Sequence, residues 1–114
     1  MKKNTIMRRT QFVNFFITVI SFLITTGLYA GEDKHYKTAL EKMQIQDYHG
    51  AIMEFSRSLN QDIKHIDSYL GRAKAKIHLQ DYYGAIKDYT EVINFDKKSA
   101  KAYLGRGRCY YALN

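Results

Sequence analysis

One heptapeptide occurs twice in this chain with a single change, and its spacing restricts the fold. Gln46-Asp47-Tyr48-His49-Gly50-Ala51-Ile52 returns 34 residues later as Gln80-Asp81-Tyr82-Tyr83-Gly84-Ala85-Ile86. A fixed period of that length marks a stacked repeat. Each unit is then one small motif that buries its apolar face only against its neighbours. Residues 32–65 and 66–99 align as two units, with 12 of 34 positions identical. A third unit begins at residue 100, where Tyr103-Leu104-Gly105-Arg106 repeats Tyr69-Leu70-Gly71-Arg72.

Each unit reads as two helices. In the second unit Tyr69, Ala73, Lys76 and Ile77 follow i, i+4, i+7, i+8 spacing, with the aliphatic stem of Lys76 along that face. Asp81 stands at an N-cap position, and Ala85, Ile86, Tyr89, Val92 and Ile93 form the next apolar face. Asn94 to Lys98 is polar and turn-like, and Ser99 is placed to cap the following helix. Proline is absent, so nothing interrupts these patterns. Small residues recur at fixed places: Ala39, Ala73 and Gly107 at one, Ala51 and Ala85 at another. Small side chains let helix backbones approach, with Tyr48 and Tyr82 filling the space beside them. The expected fold is an all-α, α-α superhelix of about two and a half units.

At this point the residues resemble the tetratricopeptide repeat. Tyr69, Arg72, Ala73 and Ala75, then Asp81, Tyr82, Ala85, Ile86, Asp88 and Tyr89 carry the likeness, and Tyr103 to Gly107 fits the same variant. The likeness covers residues 32–114. The inter-repeat proline is missing, with Ile63 and Lys97 in its place, and the first unit has His35 and Thr38 where larger apolar residues are usual. The resemblance implies a concave groove that receives a peptide or protein. The groove residues it implies are Asp33, Tyr36, Leu40, Met43 and Gln44 in the first unit. The second unit contributes Asp67, Leu70, Lys74, Ile77 and His78, and the third Lys101, Leu104, Arg108 and Tyr111. Lys74, Lys101 and Arg108 make this set basic toward the C-terminal end, which implies an acidic partner. Tyr36 and Leu40 stand where the family's clamp for C-terminal carboxylates needs polar or cationic side chains.

The function expected is therefore a non-catalytic protein-interaction module. The reading placed second is a structural stub or fragment of a longer array. An enzyme accessory or a nucleic-acid-binding protein ranks below both. No nucleophile motif or glycine-rich phosphate loop occurs, so no cofactor and no catalytic residue is expected. The four histidines are 14, 16 and 13 residues apart. No helix face then offers two imidazoles to a metal. Cys109 aligns with Ala75 and reads as a buried thiol, with a reactive or intermolecular role as the alternative. Tyr69, Tyr103, Tyr110 and Tyr111 could be taken for a base-stacking platform, but at repeat spacing they read as core. The third unit stops before its second helix is due, so association or fraying is expected at the C-terminal helix, with homo-oligomer formation through it as one form.

The formal charge is +7. Lys2, Lys3, Arg8 and Arg9 precede the first apolar run, and the chain from residue 31 carries only +3. That is a mixed-sign surface and gives little reason to expect nucleic acid. Residues 1–30 read as an export signal: a basic start, an apolar run from Phe12 to Leu28, then Ala30 before polar sequence. The alternatives are an uncleaved anchor in the inner membrane, through residues 12–30, and a buried helix. The cleaved form places the repeats in the periplasm or outside the cell. Mass spectrometry of the mature protein should find a new N-terminus near Gly31 or Leu28. An intact Met1 on soluble cytosolic protein would refute export, and an intact Met1 in the membrane fraction would indicate the anchor.

Overall fold

The computed structural model describes residue 11, residues 13–19 and residues 33–114. The chain divides into two compact units, Met1–Glu32 and Asp33–Asn114. In the first, residues 13–19 are helical and exposed. The rest of the expected export segment lies outside the described residues. Among the described residues no helix is long and apolar enough to cross a membrane.

The second unit contains five helices: α1 (Lys34–Gln44), α2 (Tyr48–Gln61), α3 (Ile66–His78), α4 (Tyr82–Phe95) and α5 (Ala100–Leu113). The described residues are all helix or connection, without a strand. Each helix packs on the next along the chain, and α1 also touches α3. Short links of three or four residues reverse the chain at every step. This arrangement is consistent with an α-α superhelix.

The links show how sequence sets the turns. Asp47 ends one helix and starts the next. Its backbone N–H bonds the Lys42 carbonyl at 2.9 Å, and Gln46 N–H bonds that of Met43 at 3.1 Å. Together these close a Schellman turn over the end of α1. The Asp47 carboxylate then accepts from Gly50 N–H and caps α2. Thirty-four residues on, Asp81 bonds Lys76, Gln80 bonds Ile77, and the Asp81 carboxylate caps α4 through Gly84 N–H. Gln46 and Gln80 take the left-handed conformation at φ 61° and 60°. Glycine is the usual residue there, so glutamine adds local strain of about 1 kcal/mol. Ser99 caps α5 through Ala102 N–H, as its position in the sequence indicates.

The core has two parts. Ala39, Ala51, Phe55 and Ala75 form one, and Leu59, Tyr69, Ala73, Ala85, Tyr89, Val92, Ala102 and Cys109 form the other. The expected small positions Ala39, Ala51, Ala73 and Ala85 are all fully buried. Two contacts fix how the helix pairs stack. A Cβ on Gly71 would overlap the Phe55 ring, and a Cβ on Gly105 would overlap the Tyr89 ring. The aromatic side chain of one pair thus lies on bare backbone in the next.

Buried polar groups are paired. Asp88 is 2% exposed. The Arg72 guanidinium grips it with Nε at 3.1 Å and Nη2 at 2.6 Å, and Lys76 Nζ adds a bond at 2.8 Å. Arg72 also donates to Ser56 at 3.0 Å. Breaking such a pair by removing one partner costs about 3–5 kcal/mol, because a buried charge is left alone. Between the first two helix pairs runs a polar chain: Asp33 accepts from Ser58, Ser58 meets Ser68 at 2.6 Å, and Ser68 meets His65 Nδ1 at 2.6 Å. The Asp33 carboxyl is raised by burial, but the hydrogen bonds from Ser58, Tyr36 N–H and His35 N–H outweigh that and hold it below its ordinary value.

One expectation needs correction. Only Tyr69 of the tyrosine stripe is core. Tyr103, Tyr110 and Tyr111 are exposed. Tyr69 is covered by α4, and among the described residues no helix covers the equivalent face of α5. Gly107 likewise has nothing outside its own helix backbone within 4 Å of where its Cβ would stand, as expected for a helix face without a partner. Gly105 and Gly107 are therefore expected to respond oppositely to alanine. Gly105→Ala should lower Tm, since the buried Tyr89 ring must move, whereas Gly107→Ala should stabilise by about 1 kcal/mol through helix propensity. Thermal unfolding followed by circular dichroism checks this, and two shifts of the same sign would contradict the assigned packing.

Candidate binding groove

Helices α1, α3 and α5 are the first members of their pairs, and each presents one face to a shared groove of about 560 Å³. Residues one helical turn apart fall into rows across it, because equivalent positions recur every 34 residues. Tyr36, Leu70 and Leu104 make one row. Leu40, Lys74 and Arg108 make another. Asp67 and Lys101 make a third, at the start of α3 and α5. Gly71 and Gly105 lie between the rows, and the Phe55 and Tyr89 rings close the floor against them. The floor is therefore aromatic and aliphatic, and the rim is charged.

The charge is uneven. Three cations, Lys74, Lys101 and Arg108, line the groove with a single carboxylate, Asp67. All four side chains belong to exposed residues, so they act as solvated rim charges rather than buried partners. The α1 end is different. It offers Tyr36, Leu40 and Met43 and no cation. The Tyr36 hydroxyl is pushed above its ordinary value by burial and then by the Asp67 carboxylate nearby. It stays protonated near neutral pH and can donate a hydrogen bond. A chain lying across the groove would meet an apolar, hydrogen-bonding end on α1 and a cationic end on α5.

Of the groove residues inferred from the sequence, Tyr36, Leu40, Asp67, Leu70, Lys74, Lys101, Leu104 and Arg108 come together here. Met43 joins them, while Gln44 and Tyr111 are not on the lining. Ile77 lines a smaller hollow of about 230 Å³ instead, beside Tyr82, Tyr89 and Cys109. His78 falls outside both. Its ring stacks flat on Tyr48, with centroids 4.3 Å apart and planes at 3°. It lies one residue past Ile77, about 100° further round the helix, which turns it toward the start of α2. Asp33 is used as the cap of α1 and as the partner of Ser58.

Sequence reasoning missed the floor. Phe55, Gly71, Tyr89 and Gly105 were not among the inferred groove residues, although they line it. The signal was present: an aromatic at 55 and 89, and a glycine at 71 and 105, keep the same 34-residue offset. Groove positions taken from first helices alone overlook a ring contributed by the second helix.

Cys109, His35 and Glu54 serve packing and pairing within the fold. Cys109 is 1% exposed, and burial pushes its thiol up from the ordinary value, so the nucleophilic thiolate is disfavoured. His35 meets Glu54 at 2.7 Å, and this bond first, with Arg57 assisting against burial, holds the Glu54 carboxyl below its ordinary value. Among the described residues no three His, Cys, Asp or Glu side chains gather where a metal could sit. No protein-family model and no curated protein matches this chain.

Proposed function

We propose that this chain is a tetratricopeptide-like interaction module that binds an acidic, partly apolar peptide segment in the groove across α1, α3 and α5. The observation that carries the reading is the ring of Lys74, Lys101 and Arg108 around an apolar floor made by Leu70, Leu104, Phe55 and Tyr89. Apolar side chains of the ligand would supply affinity on that floor. The cations would set orientation and speed association through long-range attraction. No reaction is assigned to the groove. The 34-residue period, the small positions and the paired caps support the family reading. The basic, apolar and small-residue order of residues 1–30 supports export to the periplasm or beyond.

The test is a fluorescent peptide of alternating Glu and Leu, titrated against the full chain. Lys74→Glu with Arg108→Glu should weaken binding on the order of tenfold, chiefly through slower association. Lys97→Glu with Lys98→Glu, in the exposed link before α5, removes the same net charge away from the groove and should matter far less. Raising salt should slow association more than it speeds release. Equal losses from the two pairs would mean that net charge alone attracts the peptide. No loss from either would remove the groove from the mechanism.

A further inference from the structure

Two neighbouring interfaces of the repeat differ by one ring. Between the first two helix pairs, His78 of α3 stacks flat on Tyr48 of α2, with centroids 4.3 Å apart and planes at 3°. Thirty-four residues on, Tyr82 begins α4 as Tyr48 begins α2, but α5 carries Ala112 where α3 carries His78. Alanine has no ring to lay on Tyr82. Beside Tyr82 there is instead a hollow of about 230 Å³.

The hollow has the size and lining for one aromatic side chain. Ile77 of α3, Tyr82 and Tyr89 of α4, and Cys109 of α5 form its apolar walls. Burial pushes the Cys109 thiol up from its ordinary value, so it brings no charge to them. An apolar cavity of about 150 Å³ holds one benzene molecule, so this volume takes a single ring with its methylene and not two. Cys109 stands where α3 has Ala75, which packs back on Ala39, Ala51 and Phe55 of α1 and α2. The hollow accordingly lies on the side of α5 that faces α3 and α4. Lys74 and Arg108 line it as well, and both are exposed residues, so their charges stand at its mouth. These two cations also line the larger groove, as does Tyr89. The hollow is thus a side pocket of that groove.

We propose that this hollow is the anchor subsite of the groove. It takes one aromatic side chain of the bound peptide, stacked on Tyr82, with the carboxylates beside it in the peptide held by Lys74 and Arg108. This rests on the groove reading above and says which ligand residue that groove selects. Two features choose the occupant. The first interface shows what this position of the repeat accepts, since Tyr48 receives a flat ring there from the chain itself. An aliphatic side chain would fill volume but leave that stacking contact unmade. The cations choose the neighbours of the ring: acids are attracted, and a lysine or arginine beside the ring would be repelled.

The probes are the alternating Glu–Leu peptide and the same peptide with its central Leu replaced by Phe. The native full chain should bind the Phe peptide roughly fivefold more tightly, the gain from one added aromatic pair. Ala112→His supplies the missing ring from α5, as His78 does from α3, and should bring the two affinities together. Tyr82→Leu removes the stacking face and should do the same from the other side. The quantity read is the ratio of the two affinities, which a general loss of stability in a variant does not shift. The chain contains no tryptophan, so a peptide with Trp at the central place reports its own surroundings. Its emission should move to shorter wavelength on binding the native chain, and less on binding Ala112→His. Equal affinity of the native chain for the Phe and Leu peptides, a Phe preference that survives both variants, or unshifted Trp emission would each overturn the subsite and leave the groove standing. If the native chain binds neither peptide, the groove reading falls and the subsite with it.

Discussion

The stacking of aromatic rings on bare backbone governs this structure. Phe55 lies against Gly71 and Tyr89 lies against Gly105, and in both places even a methyl group would collide with the ring. Each contact joins the second helix of one pair to the first helix of the next. It sets how closely successive pairs approach, and therefore how far apart α1, α3 and α5 stand. The groove follows from the same contacts, because its floor is made of those rings and those glycines. Full burial of one such ring is worth about 2–3 kcal/mol, so two of them are a large part of the stability of a small unit.

Polar groups then fix register where the apolar contacts leave it free. Arg72 and Lys76 converge on Asp88 and hold α3 to α4 at one longitudinal position. The serine chain from Asp33 to His65 does comparable work between the first two pairs, where Val92 and Ala102 replace Ser58 and Ser68 one repeat later. The same repeat logic produces the groove and its side pocket. The groove is the side where first helices line up, and the pocket lies where Ala112 lacks the ring that His78 lays on Tyr48.

Much of this was legible in the chain. The 34-residue period gave the helix pairs, Asp81 and Ser99 gave caps, and Ala39, Ala51, Ala73 and Ala85 gave the close approaches. These features act locally or recur, so one sequence carries them. Other features depend on what lies across the fold. Asp88 reads as a surface acid until Arg72 and Lys76 are brought to it. Gln46 and Gln80 carry no mark of left-handed backbone, because the turn that imposes it is closed by Lys42, Met43, Lys76 and Ile77 behind them. Three tyrosines of the stripe read as core because they stand at repeat spacing; exposure depends on whether a covering helix is present. His78 was placed by alignment, and a single residue's rotation along α3 carried it onto Tyr48.

The claim that ring-on-glycine contacts set the array is tested most directly by a double-mutant cycle on Phe55 and Gly71, read as Tm of the full chain. In the native background Gly71→Ala should destabilise strongly, since its methyl group meets the Phe55 ring. In the Phe55→Leu background the ring is gone, alanine is the better helix former, and the same change should be near neutral or stabilising. An equal loss in both backgrounds would show that Gly71 is not there to receive the ring, and would contradict the account.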